Sequence, residues 1–411
     1  MNVESKSMRR GSSKGARAPG DLRIVQFGLP YSPNLGDGII SECLSYGVAR
    51  VCSGARVDAI DLSTRSDFGE TVVRNRRLAL KLLGALPRPI RHRLVKHRLR
   101  AMLDAAAPGW AGIVADADMV LIGGGQLFSD ADLNFPLKIA RAAEVARDGG
   151  VPVSVYAAGV AHNWSAEGTA LYRTLLDADL RAVGLRDGPS IDAWRAQFGA
   201  AGPDPVLMRD PGLLARGCYG PVAADTRIGL CVSDPAILRY HADRGTEGVA
   251  KQGLAPLAQA LVARGHRLRL FCNGAAEDAA ALQDLAHELQ DAQRSGDVEV
   301  ADPPTRPNEL AQLAGGCSAL VAHRLHACIV GYAYRRPVVG LGWDKKVESF
   351  FASVGQGAAF SPAGEPPDAI IARLERTITQ PFDAERAEEI EGEVLAGLRS
   401  ALAPAIQAPA S

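Results

Sequence analysis

Between residues 319 and 347 the chain concentrates groups able to handle a small anion. An apolar run, Ala319–Ala322, empties into His323-Arg-Leu-His-Ala327, which puts two imidazoles and a guanidinium in one turn. Histidine exchanges protons near neutral pH, and the arginine fork matches a carboxylate or phosphate. A second apolar run, Val338–Leu341, delivers Trp343-Asp-Lys-Lys346 and Val347 to a neighbouring turn, adding the cations Lys345 and Lys346. Either lysine alone reads equally well as a charge left in water. Arg186, in Gly184-Leu-Arg-Asp187 with Ser190 after it, can grip a carboxylate or phosphate, or simply pair with Asp187.

Two glycine-bearing turns add shape to this charge. Asn34-Leu-Gly-Asp-Gly38 leads into a helix expected from about Ile39, so backbone amides and a positive helix end face a loop that can receive an anion or a hydroxyl-rich ligand. Asp37 reads equally as the N-cap of that helix. Gly123-Gly-Gly-Gln-Leu-Phe128 removes every side chain from the next turn, so at Gly124 and Gly125 a ligand or another backbone can come close. It fits neither GxGxxG nor a Walker loop, which argues against dinucleotide and P-loop chemistry.

These turns need strands to carry them. Short apolar runs alternate with helical patterns at Leu22–Phe27, Val57–Ile60, Met119–Ile122, Val151–Ala157 and Ala182–Leu185, then again at Arg227–Cys231, Leu268–Cys272, Val298–Val300, Ala319–Ala322 and Val338–Leu341. Nearly continuous apolar strands, with helical stretches such as Val249–Ala263 and Ala276–Gln290 between them, mean parallel sheets covered on both faces. The expected class is α/β with two Rossmann-like domains: a loose tail over 1–20, a first domain over 21–220, a second over 221–380, and a C-terminal helix and tail over 381–411. The glycines and proline of Arg216–Thr226 mark the boundary.

Two segments depart from the alternation. Arg74–Arg100 holds ten Arg or Lys residues and no Asp or Glu, inside an insertion of 70–108. Ile90, Leu94, Val95, Leu99, Met102 and Leu103 sit at helical spacing after Pro87-Arg-Pro89, so part of it is an amphipathic helix, packed on the first domain or touching an anionic surface. Ala384–Leu402 reads as a terminal helix able to cross back and pin the two domains together.

Composition narrows the function. The 411 residues are 47% hydrophobic and 22% charged, ordinary for folded domains, and 46 basic residues balance 46 acidic ones, so nothing points to nucleic acid as a partner. Seven cysteines without a CxxC pair suggest neither a disulfide framework nor a zinc knuckle, and reduced cytosolic thiols are the simplest reading. No apolar run approaches the roughly 20 residues of a membrane span, and the first 20 residues lack the apolar core of a secretion signal. No cluster of His, Cys and carboxylates has metal-ligand spacing, so metal-independent chemistry is expected.

Together, Asn34-Leu-Gly-Asp37, Gly123-Gly-Gly125 with Leu127 and Phe128, Leu185-Arg-Asp187 with Ser190, Asp210-Pro211, His323-Arg-Leu-His-Ala327, Arg336-Pro-Val338 and Asp344-Lys-Lys-Val347 with Phe350 and Gly355 resemble the polysaccharide pyruvyl transferases over most of the chain. The resemblance implies the two-domain arrangement called GT-B and transfer of pyruvate from phosphoenolpyruvate to a sugar of a cell-surface polysaccharide or its precursor, as a ketal, with release of phosphate. It implies that Arg186, Arg324, Leu325 and His326 hold the donor. His326 is then the expected catalytic acid and base and His323 its substitute. Lys346, Asn34, Asp37, Gly124 and Gly125 complete the substrate-binding set, Asp37 as base or partner for an acceptor hydroxyl. No cofactor beyond the donor substrate is expected. The acceptor is a saccharide, lipid-linked in one reading, which would place the protein in the cytoplasm at the inner face of a membrane, with Arg74–Arg100 as its contact. A GT-B glycosyltransferase using a nucleotide-sugar donor is the alternative. The turn Ala157-Ala-Gly-Val-Ala-His162 departs from the Gly-Ile-Gly-Pro type of many relatives, which bears on the acceptor more than the donor.

Overall fold

The structure, a computed structural model, describes residues 22–69, 88–235 and 253–406. The N-terminal tail, the basic stretch up to residue 87 and the first four residues of the helix expected at Val249–Ala263 lie outside the described residues.

Two six-stranded parallel sheets form the frame. The first contains β1 (Arg23–Gly28), β2 (Arg56–Asp61), β3 (Met119–Gly123), β4 (Val153–Ala158), β5 (Leu180–Leu185) and β6 (Val206–Leu207), in the order β2-β1-β3-β4-β5-β6. The second contains β7 (Ile228–Val232), β8 (Leu268–Cys272), β9 (Val298–Val300), β10 (Ala319–Ala322), β11 (Val338–Leu341) and β12 (Phe360–Ser361), in the order β12-β11-β10-β7-β8-β9. Every residue of β3, β4, β7, β10 and β11 is buried, which is why these strands read as unbroken apolar runs. β6 and β12 were not foreseen: each is two residues long at a sheet edge, and Val206 and Leu207 are exposed, so neither carries a burial pattern.

The strand orders locate the place where ligands collect in such sheets. In the first, the chain proceeds outward one way from β1 and the other way from β3; in the second it diverges between β7 and β10. At such a switch point neighbouring turns part and leave a crevice at the carboxyl ends of the strands. The turns singled out above, 29–38, 123–128 and 323–326, leave β1, β3 and β10.

The longer helices are α1 (Leu35–Val51), α2 (Arg88–Val114), α3 (Asn134–Asp148), α4 (Gly188–Phe198), α5 (Ala255–Ala263), α6 (Ala276–Glu288), α7 (Pro307–Gly315), α8 (Leu325–Ala333), α9 (Lys345–Ser353), α10 (Pro367–Thr379) and α11 (Ala384–Ile406). α2 continues past residue 108 to Val114, burying Leu103, Trp110 and Val114 while Leu94 stays exposed. One apolar cluster is shared between the halves: Leu35, Ile39 and Leu44 of α1 meet Cys328 and Ile329 of α8 and Val394 and Leu398 of α11. α11 crosses back as its pattern suggested. The Ser154 hydroxyl donates to the Ala401 carbonyl at 3.0 Å and the Tyr156 hydroxyl to that of Val394 at 3.3 Å. Arg209 pairs with Glu393 at 2.7 Å. No helix among the described residues is long and apolar enough to cross a membrane.

Candidate active site

α1 begins at Leu35, four residues earlier than expected, with Asn34 at its N-cap; Asp37 is therefore in the first turn and is not the cap. The early start comes from the opposite sheet, because the Leu35 N–H donates to the Asn273 carbonyl at 3.0 Å. The Asn34 side chain caps nothing. Its amide oxygen accepts from Asn273 Nδ2 at 3.0 Å, so this residue clasps the two halves at the site's edge.

His326 stands in the first turn of α8 and is 7% exposed. A Cβ on Gly36 would lie 2.5 Å from its Nδ1, so the ring occupies space that only glycine leaves open. Its Nε2 lies 3.8 Å from Asp210 Oδ2, and both atoms are buried without a hydrogen-bond partner. The other Asp210 oxygen accepts from the Gly212 N–H at 2.8 Å. Burial works to raise the Asp210 carboxyl, but His326, the Gly212 amide and Arg186 outweigh it and hold the group below its ordinary range. Asp37 goes the other way. Burial raises it, against the opposing pull of His326, the Ser32 hydroxyl, Arg324 and Arg65. His326 thus acts on two carboxylates, with Arg324 felt at one and Arg186 at the other.

Both arginines are fixed by two nitrogens and keep the third. Arg324 donates from Nε (3.0 Å) and Nη2 (2.5 Å) to Asp278 Oδ2, while Arg186 donates from Nε to Asp187 (3.3 Å) and from Nη2 to Gln126 Oε1 (2.5 Å). Nη1 of each has no partner among the described residues. Arg186 is thus ion-paired to Asp187 and nearly buried, its side chain 7% exposed. The little exposure that the two side chains keep, 7% and 13%, leaves these donors able to meet an anion.

Other expected residues are placed less centrally. His323 is buried with Nδ1 unpartnered, its carbonyl accepting from Trp343 Nε1 at 2.6 Å. Burial and the charge of Arg324 push its imidazole down to about 4, so it is neutral near pH 7 and does not suit the role of substitute acid. Leu325 opens α8 and packs against the shared cluster. Lys346 pairs with Asp344 at 2.6 Å over the Trp343 ring, on the adjoining turn. Gly124 has φ +78° and faces Ile40, whose methyl a Cβ would strike, so its missing side chain serves packing rather than ligand approach. Gly125, at φ +74°, lies beside Asp37: a Cβ there would be 3.6 Å from its carboxylate.

Asp210, Asp278, Gln126 and Gly36 are the contributors that residue patterns did not assign. Asp210-Pro211 stood among the motifs without a role; a carboxylate before proline and glycine signals a capped turn, and it caps Pro211–Leu214 here.

Comparison with known proteins follows the same lines. A search of curated proteins found no match. Among solved structures, the UDP-GlcNAc 2-epimerase of Methanocaldococcus jannaschii is similar at TM-score 0.54 and 10% identity, over 92% of this chain and 97% of that one. The enzyme of the same description from Neisseria meningitidis, bound to UDP-GlcNAc, matches at 0.51 and 11%, over 93% and 99%. That from Rickettsia bellii matches at 0.50 and 11%, over 93% and 97%. At such identities the likeness concerns the fold, two Rossmann-like domains facing across a cleft as in GT-B proteins. A profile described as polysaccharide pyruvyl transferase matches residues 34–345, from the Asn34 clasp to the start of α9. With three quarters of its length so matched, the chain belongs to the polysaccharide pyruvyl transferase family.

Proposed function

We propose that the protein transfers a pyruvyl group from phosphoenolpyruvate to two hydroxyls of a saccharide, forming a ketal and releasing phosphate. Beyond family membership, one observation carries the reading: where the turns of the two sheets meet, His326 faces Asp210 at 3.8 Å and its charge is also felt at Asp37, with a guanidinium acting on each carboxylate. Phosphoenolpyruvate is a compact polyanion, and the spare Nη1 donors of Arg186 and Arg324 suit its carboxylate and phosphate.

The chemistry proposed uses side chains alone. His326 gives a proton to the methylene carbon, C3, and positive charge develops at C2. One acceptor hydroxyl adds to C2 and loses its proton to a base, for which Asp37 is suited because burial raises its carboxyl towards the working pH. The C2–O bond to phosphate then breaks with its electron pair leaving on oxygen. A second hydroxyl adds to C2 and yields its proton. Of the two hydroxyl protons released, one replaces that given to C3 and one leaves on phosphate. The acceptor is a sugar of a cell-surface polysaccharide or its lipid-carried precursor, met at the cytoplasmic face of a membrane.

The test is incubation with phosphoenolpyruvate and candidate saccharide precursors, following phosphate release and a pyruvyl adduct by mass spectrometry. Release of nucleoside diphosphate from a nucleotide sugar, without any pyruvyl adduct, would replace this reading with glycosyl transfer.

A further inference from the structure

Proton transfer by His326 requires that its ring be held and its charge accommodated, and the structure offers one group for both. Nε2 of His326 is sealed from solvent and faces Asp210 Oδ2 at 3.8 Å, neither atom having another partner. A buried acceptor and a buried ring nitrogen, each orphaned and facing the other, are expensive apart and stabilising once joined. The separation exceeds a hydrogen bond, and catalytic contacts are commonly long before a ligand closes a site. Asp210 cannot turn away, because its second oxygen is bound by the Gly212 N–H at 2.8 Å at the head of the turn Pro211–Leu214. His326 cannot swing far either, since its ring fits the space left by Gly36.

The groups around the pair are mixed in sign. Asp37 approaches from α1, Arg324 from the residue before α8 and Arg186 from the turn after β5, while Tyr156 of β4 and Cys43 of α1 flank Asp210. Asp210 is the carboxylate directly opposite Nε2, and it is held in the ionised form by its surroundings.

We propose that Asp210 is the positioning residue of His326: it takes the Nε2 hydrogen, leaves Nδ1 beside Gly36 as the nitrogen that meets the substrate, and balances the charge of the imidazolium. The inference rests on the pyruvyl-transfer reading for its purpose but not for its test, which needs neither donor nor acceptor.

In Asp210→Asn the Gly212 N–H still requires an oxygen, so the amide NH₂ must take the place of Oδ2 and point at Nε2. The neutral ring then has to accept at Nε2 and carry its hydrogen on Nδ1, the reverse of the native tautomer. The measurement is the ¹⁵N spectrum of the full chain labelled in histidine, at a pH where imidazoles are neutral, with His326 assigned through His326→Gln. The expected result is hydrogen on Nε2 in the native chain, on Nδ1 in Asp210→Asn, and on Nε2 again in Asp210→Glu. Hydrogen remaining on Nε2 in a folded Asp210→Asn overturns the proposal, as does hydrogen on Nδ1 in the native chain. In turnover, Asp210→Asn should lose about 100-fold in kcat with phosphoenolpyruvate affinity within about threefold, and should cost nothing further in His326→Gln. Full additivity of the two would also overturn it. Absence of phosphoenolpyruvate turnover in the native chain would instead sink the parent reading and leave the tautomer result standing.

Discussion

The turn Asn34–Gly38 after β1 and the turn His323–His326 after β10 meet across the molecule, yet they contribute opposite things. The first is mostly absence: Gly36 clears the His326 ring, and Asn34 spends its side chain on Asn273. The second is mostly charge, and each charged group has its own seat, Arg324 on Asp278 and His326 against Asp210. Even within the second turn the setting decides the role: His323 and His326 are three residues apart, but one is buried with no charged partner at its ring and the other faces a carboxylate. The first of these turns supplies mostly shape and the second mostly charge, so damage to the two should differ in kind.

The largest effect should come from the charged side. His326→Ala should lower kcat by about 10²- to 10⁴-fold while the thermal midpoint stays near the native value; activity within tenfold of native would remove this residue from the chemistry. His323 should behave as its opposite. Its imidazole is held at about 4 against an ordinary 6.5, so the unfolded chain takes up a proton that the folded chain refuses. The stability owed to neutral His323 is therefore complete above pH 6.5 and drains as pH falls towards 4, by about 3 kcal/mol at most. Denaturant melts of His323→Gln across that window should show a shallower acid-side decline than native, and equal slopes would refute the effect of burial and Arg324 on this ring.

Smaller effects belong to the shaping side. Gly124→Ala forces a side chain into a positive φ and into Ile40, at a cost of about 1–3 kcal/mol, with kcat per folded molecule kept. A kcat loss without loss of stability would mean that Gly124 meets substrate after all. Outside both turns, Arg98 is exposed on α2. Arg98→Ala should weaken binding to anionic vesicles by about fivefold if that helix touches a membrane, since each basic residue near the surface contributes about 1 kcal/mol; unchanged binding removes the contact.

What could be read from residue order follows from range. Strands buried on both faces announce themselves as apolar runs, and the turns after them as glycine and charge, so the frame and the residues at its switch points were legible. Asp210 and Asp278 were not assigned because their partners, His326 and Arg324, lie far along the chain, and no spacing encodes a contact between such distant segments. Gly36 failed to explain itself for the same reason: its neighbour is an imidazole from the other half. The helix start was misjudged because Asn273, not a local cap, satisfies the first amide. Lys346 was read as a cation beside the histidines or in water; in the structure Asp344, two residues before it, both caps α9 and pairs with it.

The return of α11 has a consequence during synthesis. Ser154 finds its partner only in the last helix, 247 residues further on, and the Tyr156 hydroxyl, which also reaches the Arg209 carbonyl, has its other acceptor there. While the ribosome is still making the second sheet, the first therefore waits with an uncovered apolar flank, guarded only by whatever chaperone attends it. Completion of the amino-terminal half is thus timed by the arrival of the carboxyl terminus, and a stop codon before residue 384 would spoil the end of the protein that was made first.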